Sequence, residues 1–201
     1  MLKQMLLTIL LVLGALNRRV DAGILNFSDL TAGGCANLGA AVNTQGFHFT
    51  GNPADPTLFL CDPILAPIAN HTSPALVNAN LQSILTLTQI GGAPFSLNFF
   101  SAGSRLNFGP STGIAVDGFL SGGGTVSTTI VFNGGAFDTF ALPSTFTNLT
   151  SAVFTSIGTG PTPEFLINNI GVDAVPEPAT VTLASLGLLI FACLRRSARR
   201  I

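Results

Sequence analysis

The chain has 201 residues, of which 47% are hydrophobic and 8% charged, with sixteen Phe and neither Trp nor Tyr; this excludes a disordered polyelectrolyte, which needs low hydrophobicity and high net charge, and leaves room for one domain plus terminal signals. The formal net charge of −1 hides an asymmetry, because Lys3, Arg18 and Arg19 stand at the start, Arg195, Arg196, Arg199 and Arg200 near the end, and Arg105 alone faces seven acids between Gly23 and Val175. That stretch, of net charge −6, cannot offer the basic footprint that phosphate backbones need, so nucleic acid is excluded as a partner.

Taken in chain order, the first element is the apolar run Met5–Leu16 behind Lys3, followed by Val20-Asp21-Ala22. This is the pattern of a secretory signal peptide over residues 1–22, with cleavage between Ala22 and Gly23. Arg18 and Arg19 are unusual so near a cleavage site. An uncleaved anchor is the alternative, but twelve residues make a helix of only ~18 Å against a hydrocarbon core of ~30 Å. Export to an oxidising compartment then predicts a disulfide between Cys35 and Cys61, the two cysteines of the body.

The body, residues 23–160 with a last strand over 165–172, reads as β. Gln45–Thr50 alternates, with Phe47 and Phe49 on one side, and Ile84–Thr88 alternates from Leu85. Thr125–Phe132 is β-branched through its middle, and further strands are expected at Phe95–Phe100, Ile114–Leu120, Phe137–Leu142, Ala152–Ser156 and Phe165–Val172. Turn signals separate them, among them Gly91-Gly92, Asn133-Gly-Gly135 and Ser121-Gly-Gly-Gly124, the last read as a hairpin turn because no helix and no Lys follow it. About nine short strands at this spacing predict an all-β, two-sheet sandwich. The one helical candidate is a short turn over Pro74–Leu81. Residues 161–175 are read as a Pro-containing final strand and linker.

The tail, 175–201, orders three features: Pro176-Glu177-Pro178, an uncharged apolar stretch over 179–194, and the Arg cluster of 195–200. Pro178 fits a helix's first turn. Sixteen apolar residues reach ~24 Å, short for a transmembrane helix, but arginines can snorkel and the bilayer can thin. Arg195, Arg196, Arg199 and Arg200 then mark the cytoplasmic side and stop transfer. An ordinary anchor behind a Pro-rich linker would share most of these features. The ordered set strongly resembles the PEP-CTERM protein-sorting signal. The resemblance implies an exported protein of an exopolysaccharide-producing bacterium, recognised at Pro176, Glu177 and Pro178 and cut by exosortase. Its address is an inner-membrane-anchored precursor, then the cell surface or the extracellular space. More mildly, Gly46-Phe-His-Phe49, Phe137-x-x-Phe140, Val153-Phe154 and Phe165–Val172 resemble the strand layout of jelly-roll ectodomains attached to such tails, domains similar to carbohydrate-binding modules. Their last strand often carries Asp-Asn-Ile/Val; here the acid's place is taken by Asn168, followed by Asn169 and Ile170, which removes a charge that could hold Ca²⁺.

Chemistry-bearing residues are sparse. His48 and His71 lie in no nucleophile motif, and positions 35, 48, 61 and 71 match no zinc spacing. Asp55 and Asp62 flank what reads as a polar, Pro-rich loop that could lend Ca²⁺ ligands, against the commoner solvated acidic loop. Asn26, Asn70 and Asn148 sit in Asn-x-Ser/Thr sequons, read as chance in an Asn/Thr-rich bacterial chain. No catalytic residue, metal site or cofactor is assigned, and the chain is read as a non-enzyme. Three functions are carried forward: a structural or matrix-associated surface protein, a carbohydrate-binding module of the matrix with exopolysaccharide as partner, and, least supported, a secreted hydrolase.

Overall fold

Period-two alternation, legible in the sequence from Ile84 to Gln89, is realised as alternating half-buried and buried side chains along a strand. The computed structural model describes residues 23–30, 34–62, 74–79, 82–105, 111–133, 137–159, 162–174 and 187. In order its strands are β1 (Gly23–Leu25), β2 (Cys35–Gly39), β3 (Ala41–Thr44), β4 (Phe47–Thr50), β5 (Leu58–Cys61), β6 (Ala75–Asn78), β7 (Ile84–Gln89), β8 (Phe95–Ser104), β9 (Gly113–Leu120), β10 (Thr125–Val131), β11 (Asp138–Ala141), β12 (Leu149–Ile157) and β13 (Phe165–Ala174). All lie in one unit, Asp21–Val175. Every strand expected from the sequence is present. Among the described residues no helix is long and apolar enough to cross a membrane; the signal peptide, the Pro-Glu-Pro motif, the membrane helix and the Arg cluster fall outside the described residues.

Pairing resolves the strands into two antiparallel layers. The first runs β2-β5-β6-β13-β8-β11, with β1 also on β13. The second runs β3-β4-β7-β12-β9-β10. One residue pair, Leu149 with Phe95, joins them. The fold is therefore an all-β, jelly-roll-like sandwich whose layers face each other across a phenylalanine core. Phe47 of β4 meets Phe95 of β8 edge-to-face at 5.4 Å, and Phe100 of β8 meets Phe154 of β12 at 5.3 Å. All four rings are fully buried, and burying each is worth roughly 2–3 kcal/mol.

Two irregularities re-aim the central strands. In β13, Phe165 and Ile167 point into the core, then Ile170 and Val172 do; the inward set changes from odd to even numbers. Asn169, at φ 45°, sits in the register break that makes this change. The partner strand changes parity too, from Phe95 and Leu97 to Phe100 and Ala102. Asn98, at that break, donates its side-chain amide to Asp173 at 2.8 Å. Gly171 then accommodates Phe99: a Cβ there would lie 2.2 Å from the ring.

Two local expectations are corrected. Pro74–Leu81 holds a strand, β6, between β5 and β13, rather than a helical turn. β6 is paired along its whole length with β5 and meets β13 at Leu76, and this tertiary pairing outweighs the helix-compatible composition of Ala75-Leu-Val77. The span between Asp55 and Asp62 is not a polar loop but contains β5, because Leu58 and Leu60 are fully buried.

Candidate functional site

The outer face of the second layer spans six strands, β3-β4-β7-β12-β9-β10. Cross-strand register places side chains there in rows. One row reads Asn43, His48, Thr88, Ser151, Phe119, Thr125. The next reads Ala41, Thr50, Thr86, Val153, Asp117, Ser127. Strands stand about 4.8 Å apart and same-face residues about 6.7 Å apart along a strand, so six strands carry a grid of short hydroxyls roughly 24 Å wide. Three groups break its uniformity. Phe119 is 41% exposed. Ser127 Oγ donates to Asp117 Oδ1 at 2.5 Å, and His48 Nδ1 lies 2.6 Å from Asn43 Oδ1. Such a face presents hydroxyl donors and acceptors, one carboxylate and an aromatic plate, with Val153 beside them and the exposed Val131 and Ile157 toward its far rows, a set suited to hydrogen-bonding a polyol. Sequence reasoning missed this face. The Thr or Ser at 125, 127 and 129, and again at 86 and 88, each alternating with a partly or fully buried neighbour, was the signal that could have found it.

The expected disulfide is formed: Cys35 and Cys61 are directly paired across β2 and β5, with Cα atoms 4.0 Å apart. Neither sulfur is then a thiolate nucleophile or a metal ligand. His71 lies outside the described residues. Asp55 turns its carboxylate to the backbone, Oδ1 accepting Thr57 N–H at 3.2 Å, and Asp62 N–H donates to Gly34 O. Among the described residues no three His, Cys, Asp or Glu converge on a metal-sized space. Asn168 is buried on β13 opposite Ser101.

Two of the three sequon asparagines have local roles. Asn26 Oδ1 accepts Ser28 N–H and the Gln45 side-chain amide. Asn148 adopts φ 58° while its carbonyl accepts Ser121 N–H, a conformation Asn tolerates better than most residues. Asn70 is outside the described residues.

Gly23, the residue after the expected signal cleavage, is the first residue of β1 and pairs with Val172 near the end of β13. The body's first and last strands are therefore hydrogen-bonded neighbours, and chain entry and exit share one end of the sandwich.

Several solved structures overlap the chain at low similarity. TmCBM61, in complex with β-1,4-galactotriose, shares 11% identity at TM-score 0.41, covering 64% of this chain and 88% of its own. The CBM22-1 xylan-binding domain of Paenibacillus barcinonensis Xyn10C shares 10% at TM-score 0.40, covering 78% and 97%. The enzymatically active domain of bacteriophage CBA120 tailspike protein 4 shares 19% at TM-score 0.36, covering 66% of this chain and 20% of its own. No curated protein matches the chain in sequence. Residues 174–200 match the PEP-CTERM protein-sorting motif. The chain thus carries a PEP-CTERM sorting motif, and the motif begins on the final residue of the sandwich's last strand, Ala174.

Proposed function

We propose that this is an exported, non-enzymatic surface protein with a structural or matrix-associated role, held in the membrane by its tail until exosortase processes it. The sorting motif, directly continuous with β13, carries this reading. In the precursor, residues 179–194 span the inner membrane. Arg195, Arg196, Arg199 and Arg200 remain cytoplasmic, since each would cost several kcal/mol to move through the bilayer. Pro176 and Pro178 hold Glu177 in extended backbone for the processing enzyme. Replacing Pro176-Glu177-Pro178 with three alanines in a host with exosortase should leave an unprocessed, membrane-bound species. Release at unchanged mass overturns the reading.

A second reading, glycan binding in the matrix, is favoured by the hydroxyl-rich outer face of the second layer. Charge narrows the glycan class. Arg105, the one base between Gly23 and Val175, is ion-paired to Glu164 at 2.7 Å, so a polyanionic chain would meet an acidic surface without a cation to hold it. A neutral polysaccharide is the fitting ligand, with Phe119 as the apolar plate and Asp117 and Asn43 as polar contacts. Affinity electrophoresis against a neutral glucan and a polyuronate separates the cases. Retardation by the glucan, reduced about tenfold in Phe119→Ala, supports it, a loss of the order expected for one stacking contact. Equal mobility in both gels supports a purely structural role.

A further inference from the structure

Two six-strand runs of sheet have four outer strands, and three of them are protected against pairing with another chain. β2 is five residues long, carries a register break between Asn37 and Gly39, and is fixed by the disulfide. β3 and β11 are four residues each, and β11 carries Asp138. Short length, breaks and charge are the usual means of blunting an edge. β10 has none of them. Its seven residues, Thr125-Val-Ser-Thr-Thr-Ile-Val131, contain no charge, Pro or Gly. Six are β-branched, and the strand pairs with β9 without a break.

The hydrogen bonds of the β9–β10 hairpin show which groups face outward. Leu120 N–H donates to Gly124 O at 3.1 Å, and Phe132 N–H donates to Thr112 O at 3.0 Å. Alternation in an antiparallel ladder then directs the even-numbered residues of β10 to β9, and leaves the backbone groups of Thr125, Ser127, Thr129 and Val131 on the open side. These four are the exposed residues of the strand, and Val131 is 68% exposed.

We infer that β10 is a self-association edge, pairing antiparallel with β10 of a second copy about a two-fold axis through Thr128. The sequence is self-complementary in this register. Thr125 faces Val131 of the other copy, Val126 faces Ile130, Ser127 faces Thr129, and Thr128 faces itself. The outward groups of the odd residues supply about eight inter-chain hydrogen bonds, and every opposed pair is β-branched or hydroxyl-bearing. Exposed apolar side chains reinforce the choice. Phe119, Val131 and Ile157 are three of the exposed large hydrophobics, and Val131 and Ile157 flank Gly113 in one row. In the dimer Val131 gains Thr125 of the second copy as its neighbour in that row, so the most exposed of the three lies at the interface. Among the described residues β10 is the one long uncharged outer strand, β1 being only three residues, so the contact is isologous and closes at two copies rather than growing into a filament. Edge pairing alone buries less than a standard interface, so association is reversible, and confinement of anchored copies to a membrane surface favours it by raising effective concentration.

The test uses the full-length chain in detergent, with Cys193→Ser to remove the cysteine outside the Cys35–Cys61 disulfide. Light scattering behind size exclusion should show a concentration-dependent dimer. Thr128→Cys should cross-link to a covalent dimer on mild oxidation, while Thr125→Cys, six residues from its own copy across the axis, should not. Thr129→Pro removes an outward N–H and leaves the β9 ladder intact; it should weaken dimerisation at least about tenfold with an unchanged melting profile. A monomer up to about 500 μM, well above a micromolar-range weak contact, overturns the inference. So does equal cross-linking at 125 and 128, or a dimer that persists in folded Thr129→Pro. Should that variant fail to fold, the cysteine pair decides.

Discussion

Arg105 and Glu164 show how a nearly uncharged body uses its one base. The guanidinium Nη1 donates to Glu164 Oε2 at 2.7 Å, with the side chains only 13% and 3% exposed. The backbones are also joined, Arg105 N–H donating to Glu164 O. The pair thus staples the end of β8 to the start of β13. Glu164→Gln takes the carboxylate charge out of this nearly buried ion pair and should lower unfolding free energy by about 2–3 kcal/mol, read by urea denaturation with the slope unchanged. A change within the ±0.5 kcal/mol of ordinary surface substitutions would show the pair to be solvated. Gly171 is a second single-residue constraint, since the Phe99 ring occupies the space of its missing side chain. Gly171→Val must displace that ring or shift β13, and should cost about 1–3 kcal/mol as overpacking does. Phe99→Ala in the same background should recover part of the loss, which a melting-temperature cycle over the four proteins would measure. The glycine's role was not legible in the sequence, because Phe99 and Gly171 are distant in the chain and meet only through the β8–β13 register.

Among elements, those carrying strong local periodicity were legible and those relying on neighbours were not. β7, β9, β10 and β12 alternate over six or more residues, β8 alternates over its first five, and all were read from sequence alone. β1, β2, β3, β5 and β6 have three to five residues each, too few for a period to show. β6 is fully buried on both faces, so Ala75-Leu76-Val77 reads as an apolar run without period-two alternation, equally compatible with a helix. Its identity follows from β5 and β13 on its two flanks. The disulfide belongs to this same weakly coded region and ties β2 to β5 at Cys35 and Cys61. Replacing both cysteines with serine should destabilise the body by about 3 kcal/mol, the chain-entropy expectation for a loop of this length, seen as a lower melting temperature that reductant mimics in the parent. An identical melt with and without reductant would count against that contribution. The central strands depend on phenylalanine packing instead. Phe100 contacts both Phe154 of the facing layer and Phe140 of β11, so Phe100→Ala should cost about 3–5 kcal/mol. A loss under 1 kcal/mol in urea titration would mean the core collapses around the cavity.

At the scale of the whole molecule, charge separates body from ends. Residues 23–175 carry net −6 while the full chain carries −1. Loss of both basic ends should therefore move the protein several charges toward the acidic side in isoelectric focusing. A mature species focusing at the precursor's position would contradict loss of both ends. The sequence by itself determined the class: alternating Phe, Val, Ile and Thr with Gly-rich turns at short intervals dictates an all-β body, since hydrophobic period and turn chemistry are local properties. It also determined the sorting motif, because a linear recognition signal is read as sequence. Only the tertiary structure decided which strands adjoin, where the parity of β8 and β13 changes, that Gly23 and Val172 are neighbours, and that Thr, Ser, Phe119 and Asp117 share one face. Those are consequences of register between segments distant in the chain, and a one-residue slip would send each side chain to the opposite face.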